Sequence, residues 1–539
     1  MLLAETRNET QGASTLGLEA SLWEATNRLR SNMDAAEYKH VVLGLLFLKY
    51  VSDKFEARRT LLEKQYSDPS SEMYLPSEEA RTMMLEDRDS YTAEGVFWVP
   101  EGHRWDDLRK AGKQPEIGQI INDAMEAIER ENESLKGILP KNFNRRELSP
   151  TMLGGLIDTF SRGELADEER KDEDVLGRVY EYLLGRYASD EGKSGGEFFT
   201  PRSVVSLLTE MIRPYRGRIY DPCCGSGGMF VQAEKFVEAH AGHRNDLAVY
   251  GQEMNPTTWR LAQMNLAIRG IEGNLGPVWG DSFADDKHPD LRADFILSNP
   301  PFNISQWGGE RLTDDKRWGY GVPPAGNANY AWLQHMLHHL SPTGTMAVVL
   351  ANGSLTVNSS NQGEIRKNMV EDDVVECIVA LPSQLFYSVQ IPVSVWFLTK
   401  DKSAKKVKTE DPQRDRHGEF LFIDARNVGY MESRTQRNLS PEDIAKIADT
   451  YNAWRGDPNL QPYEDVPGFC ASVKTQAVAD AGYALSPGRY VGAVEIEDDG
   501  VPVEEKIARL SEEIREGFAS RADLQLKIEA ALDSLEAAE

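Results

Sequence analysis

The chain runs to 539 residues, 40% of them hydrophobic, with a formal net charge of -27 and a pI near 4.9. That length supports two or more domains with cores of their own. The acidity excludes a protein that grips a phosphate backbone unaided, because such grip comes from Lys and Arg displacing counterions. Four cysteines, with Cys223 and Cys224 adjacent, form no CxxC pair and no disulfide framework, so free thiols in a reducing cytoplasm are expected. The first residues carry no basic stretch followed by an apolar one. The most apolar run, residues 41–51, is broken by Gly44 and Lys49 and is too short to span a bilayer, so neither export nor a membrane is expected.

In chain order, residues 17–65 read as helices, with Leu22, Trp23, Leu29, Tyr38, Val41, Val42, Leu45, Leu46, Leu48 and Phe55 at near-helical spacing. Residues 66–116 are mixed and polar, 117–128 are helical again, and the acidic stretch 148–169 reads as a join to the next domain. A helix over 175–184 leads to Gly195-Gly196-Glu197-Phe198-Phe199-Thr200-Pro201. There Thr200 suits an N-cap and Pro201 a first helical position, with Val204, Leu207, Leu208, Met211 and Ile212 as the apolar face behind them. Gly192-Lys193-Ser194 is no phosphate loop, since Tyr187 stands where that motif needs glycine.

The central signal is Asp221-Pro222-Cys223-Cys224-Gly225-Ser226-Gly227-Gly228, preceded by the short apolar run Arg218-Ile219-Tyr220 and followed by a helix from Met229. A strand, a tight glycine turn and a helix make a nucleotide-type pocket. The run 248–253 reads as the next strand, ending at Glu253, an acid placed to bond ribose hydroxyls; 277–281 reads as a third strand end, at Asp281. Phe295-Ile296-Leu297 then delivers Asn299-Pro300-Pro301-Phe302 to the same edge. An exocyclic amine conjugated to a ring is a poor nucleophile until turned toward tetrahedral geometry. The Asn299 side-chain oxygen and the Pro300 carbonyl can accept its two N–H groups, with Pro301 stiffening the backbone and Phe302 stacking on the flat base.

Residues 303–326 lack periodicity and read as a loop that holds or admits substrate. Residues 330–340 read as a helix with Leu333, Met336, Leu337 and Leu340 on one face; His335, His338 and His339 lack a nearby carboxylate or cysteine, so no metal is expected. Apolar runs at 346–350, 374–382 and 393–398 complete a sheet of alternating strands and helices with a terminal hairpin. The basic run 402–408 reads as a solvated loop. Residues 502–539 read as charged helix, with Ile507, Leu510, Ile514, Leu524, Ile528, Leu532 and Leu535 at coiled-coil-like spacing.

Asp-Pro-x-x-Gly-Ser-Gly followed by Asn-Pro-Pro-Phe resembles the S-adenosylmethionine-dependent amino-methyltransferases of DNA, and the flanking text resembles the methylation subunit of type I restriction-modification systems over nearly the whole chain. The resemblance implies an α/β fold: a Rossmann-like methyltransferase core (166–475), a helical N-terminal domain (1–165) and a C-terminal tail and helix for partner docking (476–539). It implies methyl transfer to adenine N6, with Asn299, Pro300, Pro301 and Phe302 catalytic. S-adenosylmethionine would be bound by Glu197, Phe198, Phe199, Thr200, Pro201, Asp221, Pro222, Gly225, Ser226, Gly227, Gly228, Glu253 and Asp281. Asp281 would take the cofactor adenine amine, or else serve as a helix cap. Leu385-Phe386-Tyr387 occupies the position that packs against an extruded base. The aromatics around Tyr50, Trp98 and Trp105 read equally as core or as DNA contact.

Implied partners are DNA, a specificity subunit docked through 502–539 and a restriction subunit, with two copies of this chain per specificity subunit in a prokaryotic cytoplasm. A protein-glutamine methyltransferase would share the Asn-Pro-Pro-aromatic site and suit an acidic surface, but leaves the helical domain unexplained. A non-catalytic, cofactor-sensing subunit is the other alternative. A zinc deaminase is excluded because Ser226 stands where its second cysteine is needed.

Overall fold

The computed structural model describes residues 22–28, 30, 35–161, 179–180, 182–187, 200–240, 242–243, 246–386, 391–405, 413–493, 511–512 and 515. Met1–Val491 form one unit and Gly492–Glu539 a second, in which 511, 512 and 515 are helical. The C-terminal helix expected over 502–539 otherwise lies outside the described residues, as do Glu197, Phe198, Phe199 and Tyr387. No helix among the described residues is long and apolar enough to cross a membrane.

The N-terminal part is helical: α1 (Ala35–Ser67), α2 (Trp105–Ala111), α3 (Ile117–Glu131) and α4 (Pro150–Phe160). Its core takes Tyr38, Val41, Leu45, Leu48, Trp98 and Trp105, so these aromatics are packed inside. The stretch expected to be a join contributes α4, which Ser149 caps by accepting from the Met152 N–H and which buries Met152, Leu153, Leu156, Ile157 and Phe160. Apolar residues four apart on one face outweigh the acidic composition around them.

Nine strands form the main sheet: β1 (Gly217–Asp221), β2 (Leu247–Gly251), β3 (Gly273–Asn274), β4 (Ala293–Ser298), β5 (Leu340–Ala351), β6 (Val375–Ala380), β7 (Val393–Thr399), β8 (Glu419–Asp424) and β9 (Cys470–Lys474). Their order is β9-β8-β6-β7-β5-β4-β1-β2-β3. The pairs from β3 through β2, β1 and β4 to β5 are parallel; β7 runs antiparallel between β5 and β6. The expected terminal hairpin is therefore present, but β8 and β9 extend the sheet beyond it.

Three local expectations are corrected. The third strand is Gly273–Asn274, not 277–281: the Asn274 side chain accepts from the Gly276 N–H, Gly276 turns at φ 75°, and Pro277 has no N–H for a ladder. Helix α5 (Arg202–Ile212) begins one residue later than expected, with Pro201 in extended conformation at the cap position and no side-chain cap. Lys402 is not solvated; it is buried and paired with Asp373 at 2.6 Å.

Helices α6 (Gly228–Ala239) and α7 (Pro256–Ile268) follow β1 and β2. Asn255 starts α7 by accepting from the N–H groups of Thr257 and Thr258, with Pro256 at the first helical position. Two faces of α7 are apolar. Trp259, Ala262 and Leu266 pack against the sheet, whereas Leu261, Met264 and Ile268 enter the helical N-terminal core. Burying three such side chains stabilises that junction by about 1.5–3 kcal/mol each. The Tyr50 hydroxyl adds a hydrogen bond to the Ile268 carbonyl.

Candidate active site

β1 and β4 are parallel neighbours, with Ile219 opposite Phe295 and Tyr220 opposite Ile296. The glycine turn and the Asn299–Phe302 segment therefore leave the same carboxyl edge side by side, where α/β sheets hold ligands. Between them lies a cavity of about 530 Å³. Pro222, Gly225 and Ser226 line it from the first turn, Asn299 and Pro301 from the second, and Glu253 and Asp281 from the following loops.

The turn is built by hydrogen bonds. Gly225 and Gly227 have φ of 53° and 79°, the left-handed region that favours glycine. The Gly225 N–H donates to Glu253 Oε2 at 3.1 Å, and Glu253 Oε1 accepts from the Asn255 N–H at 2.8 Å, so the turn, Glu253 and the start of α7 fix one another. A Cβ at Gly225 would stand in open space at the cavity, while one at Gly227 would make only ordinary contact with Leu266. Gly225 is thus the place of close backbone approach; Gly227 answers to the backbone angle, and Gly228 opens α6.

Asp221, expected to contact a cofactor, is placed beneath the turn and does not line the cavity. It is 2% exposed; its Oδ1 accepts from the Ser298 hydroxyl at 2.7 Å and the Cys223 N–H at 3.1 Å. Burial pushes its carboxyl up to about 7 against the downward pull of those hydrogen bonds. It braces one strand end against the other.

Asn299 follows β4 directly. Its Nδ2 donates to Thr200 Oγ1 at 2.9 Å, and its Oδ1 is buried with no hydrogen-bond partner among the described residues. A buried amide oxygen left unpaired costs roughly 1–3 kcal/mol, and a donor brought by a ligand would recover it. Phe302 meets Phe386 edge-on, with ring centroids 6.2 Å apart at 77°, so Phe386 belongs to the same aromatic corner. Asp281 Oδ1 accepts from the Phe283 N–H at 2.8 Å.

Sequence reasoning missed several walls of this cavity. Phe283, Trp307 and Trp332 line it, and Lys39 and Leu184 reach it from outside the glycine-turn region. Helix α8 (Asn329–His339), expected to be amphipathic, is buried nearly all round, which is why Trp332 can face the cavity while Leu333 faces the core. The 303–326 loop is pinned by Arg317, whose guanidinium donates to the carbonyls of Ser282 at 3.0 Å and Phe283 at 2.6 Å.

The expectation that no carboxylate stands near the histidines is also corrected: Asp286, His335 and His339 come together. Arg317 Nη1 lies 3.0 Å from His335 Nδ1 and can only donate, so Nδ1 accepts and Nε2 carries the proton, 3.2 Å from the Tyr220 hydroxyl. That tautomer withdraws Nε2 from metal binding, and His339 Nε2 faces Asp286 at 3.0 Å. Burial lowers the His335 pKa well below the ordinary imidazole range, consistent with a neutral ring in a hydrogen-bond relay.

The residues fit a cofactor that carries hydroxyls and an amine: an acid fixed at the end of β2, a second acid across the cavity, an uncrowded backbone approach at Gly225 and a volume within the range of ligand pockets. A family model for N-6 DNA Methylase matches residues 171–499, and one for the HsdM N-terminal domain matches 18–160. The type I restriction enzyme HindI methylase subunit of Haemophilus influenzae is 46% identical over 81% of this chain and 99% of its own length. The MjaIX methylase subunit of Methanocaldococcus jannaschii is 40% identical over 96% and 91%. The crystal structure of a type I restriction-modification methyltransferase subunit from Streptococcus thermophilus superposes with a TM-score of 0.71 at 24% identity, covering 88% of this chain and 99% of its own.

Proposed function

The chain belongs to the methylase subunits of type I restriction-modification systems, adenine-N6 DNA methyltransferases, and from that premise we propose how its cavity works. S-adenosylmethionine is the cofactor, supplying an electrophilic methyl group when bound. Gly225 and Ser226 give it backbone approach, Glu253 accepts from its ribose hydroxyls and Asp281 from its adenine amine. Pro222, Gly227 and Gly228 shape the turn, Asp221 braces it, and Glu197, Phe198, Phe199 and Pro201 are assigned to the methionine end.

The observation that carries the reading is that Asn299 lines the cavity while its Oδ1 is buried without a hydrogen-bond partner among the described residues. An extruded adenine presents an amine with two N–H groups; Asn299 Oδ1 and the Pro300 carbonyl accept them, drawing the nitrogen toward tetrahedral geometry and stabilising its growing positive charge. Phe302 offers its ring face to the base, with Phe386 supporting it edge-on. The amine proton turns acidic only as the new bond forms and leaves through the same acceptors.

A net charge of -27 fits a subunit that supplies chemistry while a specificity subunit, docked through residues 502–539, supplies most of the DNA grip. Two copies per specificity subunit, a restriction subunit in the full assembly and a prokaryotic cytoplasmic location complete the proposal. The protein-glutamine and cofactor-sensing alternatives are not favoured by the family membership. Single-molecule sequencing of host DNA with and without the gene tests it: N6-methyladenine at one motif should vanish on deletion, and an unchanged methylation pattern would refute the reading.

A further inference from the structure

An asparagine amide has an acceptor end and a donor end of nearly the same shape, and only the oxygen can receive an amine N–H. The terminal torsion of Asn is broad, so the side chain itself does not choose which end faces the cavity. It has to be anchored from outside, and here the anchor is Thr200, 99 positions away in sequence, whose Oγ1 takes the Asn299 Nδ2 hydrogen at 2.9 Å. With the donor end satisfied, Oδ1 is left buried without a partner among the described residues.

Both members of this pair precede a proline: Thr200-Pro201 and Asn299-Pro300. A residue before proline is held in the extended region, which fixes the direction of its Cα–Cβ bond. Pro201 lies at φ -57° and ψ 141° and leads into α5, whose Val204, Leu207, Leu208 and Met211 are fully buried against the sheet. On the other side, β4 is locked between β1 and β5. Two rigid elements thus meet through one side-chain hydrogen bond, at the atom next to the one assigned to the chemistry.

We infer that Thr200 is a positioning residue for methyl transfer: its hydroxyl accepts the Asn299 Nδ2 hydrogen and thereby holds Oδ1 toward the target amine. This rests on the function proposed above and assigns Thr200 a role apart from cofactor contact. Without that acceptor, the productive amide orientation leaves a half-buried donor unpaired and loses its hold.

The test uses the full chain assembled with its specificity subunit, in the Thr200→Val, Thr200→Ala, Thr200→Ser, Asn299→Ala and Thr200→Val/Asn299→Ala forms. Single-turnover transfer from labelled S-adenosylmethionine is measured at saturating cofactor and DNA, with cofactor Kd by calorimetry on each chain. Thr200→Val should slow transfer about tenfold, the scale of one lost, partly buried hydrogen bond, while Kd stays within about threefold. Thr200→Ser, which keeps the hydroxyl, should stay within about threefold of the parent, and the double variant should be no slower than Asn299→Ala, since the threonine acts through the asparagine. Thr200→Ala carries the expectation of the valine variant if valine disturbs the fold. The inference is overturned if Thr200→Val and Thr200→Ala transfer at the parental rate, if their loss multiplies in full with Asn299→Ala, or if they weaken cofactor binding and leave the saturated rate untouched. A parental complex that methylates no DNA overturns the underlying reading as well.

Discussion

At the carboxyl edge of the sheet, β1 and β4 end side by side but are finished in different ways. After β1, the carboxylate of Asp221 is turned inward, satisfied by Ser298 and Cys223, and the chain meets the cavity through glycine backbone. After β4, prolines stiffen the chain and a side-chain amide is left with its oxygen unpaired among the described residues. In the function proposed above, the first end adapts its backbone to a ligand and the second holds one atom still. On that proposal ligand binding and catalysis fall to adjacent strand ends that share a brace, and perturbing either end should give a distinguishable defect.

The largest expected effect breaks the second end. Asn299→Ala should lower single-turnover methyl transfer by on the order of a hundredfold or more, the scale for removing one preorganised polar group, with cofactor affinity nearly unchanged. Parental transfer in that variant would reduce the Asn-Pro-Pro-Phe segment to a loop. The complementary change at the first end is Gly225→Val, which places a β-branched side chain at φ 53° in the cavity. Calorimetry should then show cofactor affinity falling by about tenfold or more, because strain and lost backbone approach add. Undiminished binding would contradict the assignment of that turn.

Smaller still, Phe302→Ala should weaken capture of the extruded base by about 1–3 kcal/mol, read from 2-aminopurine fluorescence at the target, and Phe302→Trp should keep most of it because the ring face is what stacks. Equal fluorescence in all three proteins would remove Phe302 from the base site. The mildest test sharpens the role of the brace. The Asp221 carboxyl is raised in the folded chain, to about 7, so the folded state binds the proton more tightly than the unfolded one. Its contribution to stability is present below the ordinary carboxyl pKa and is lost as pH rises toward 7. Relative to Asp221→Asn, the parent should therefore lose stability by at most about 1.4 kcal/mol per pH unit between about pH 4 and 7, and level off above. A constant difference in urea-unfolding free energy across that range would mean that Asp221 titrates normally.

Much of this was legible in the sequence because local signals and tertiary demand agree there. The strand before Asp221, the glycine turn, the helix from Gly228 and the strand before Asn299 each follow from hydrophobic runs bounded by residues with strong backbone preferences. What escaped were contacts between distant positions. Nothing near Thr200 announces that its hydroxyl serves Asn299, and the cap preference of threonine pointed instead to the helix start. Asp221 looked like a ligand because acids at strand ends usually are; Ser298, which turns it inward, comes 77 residues later. Asp286 reaches His339 across 53 positions, so the histidine cluster seemed to lack a carboxylate. Strand β9 pairs with β8 in antiparallel register beyond the point where alternation of strands and helices could guide a reading.

Helix α7 has a consequence for how such chains can be inherited. One face of it belongs to the sheet and the other to the helical core, and Lys39 of that helical part lines the cavity. The two stretches that match separate family descriptions are thus not interchangeable cassettes. A chimaera that joins the helical part of one relative to the catalytic part of another must also match the Leu261, Met264 and Ile268 surface, or it will carry a mismatched seam along one side of the cavity. Recombination within this lineage should leave crossovers on either side of α7 together with its partner helices, and rarely between them.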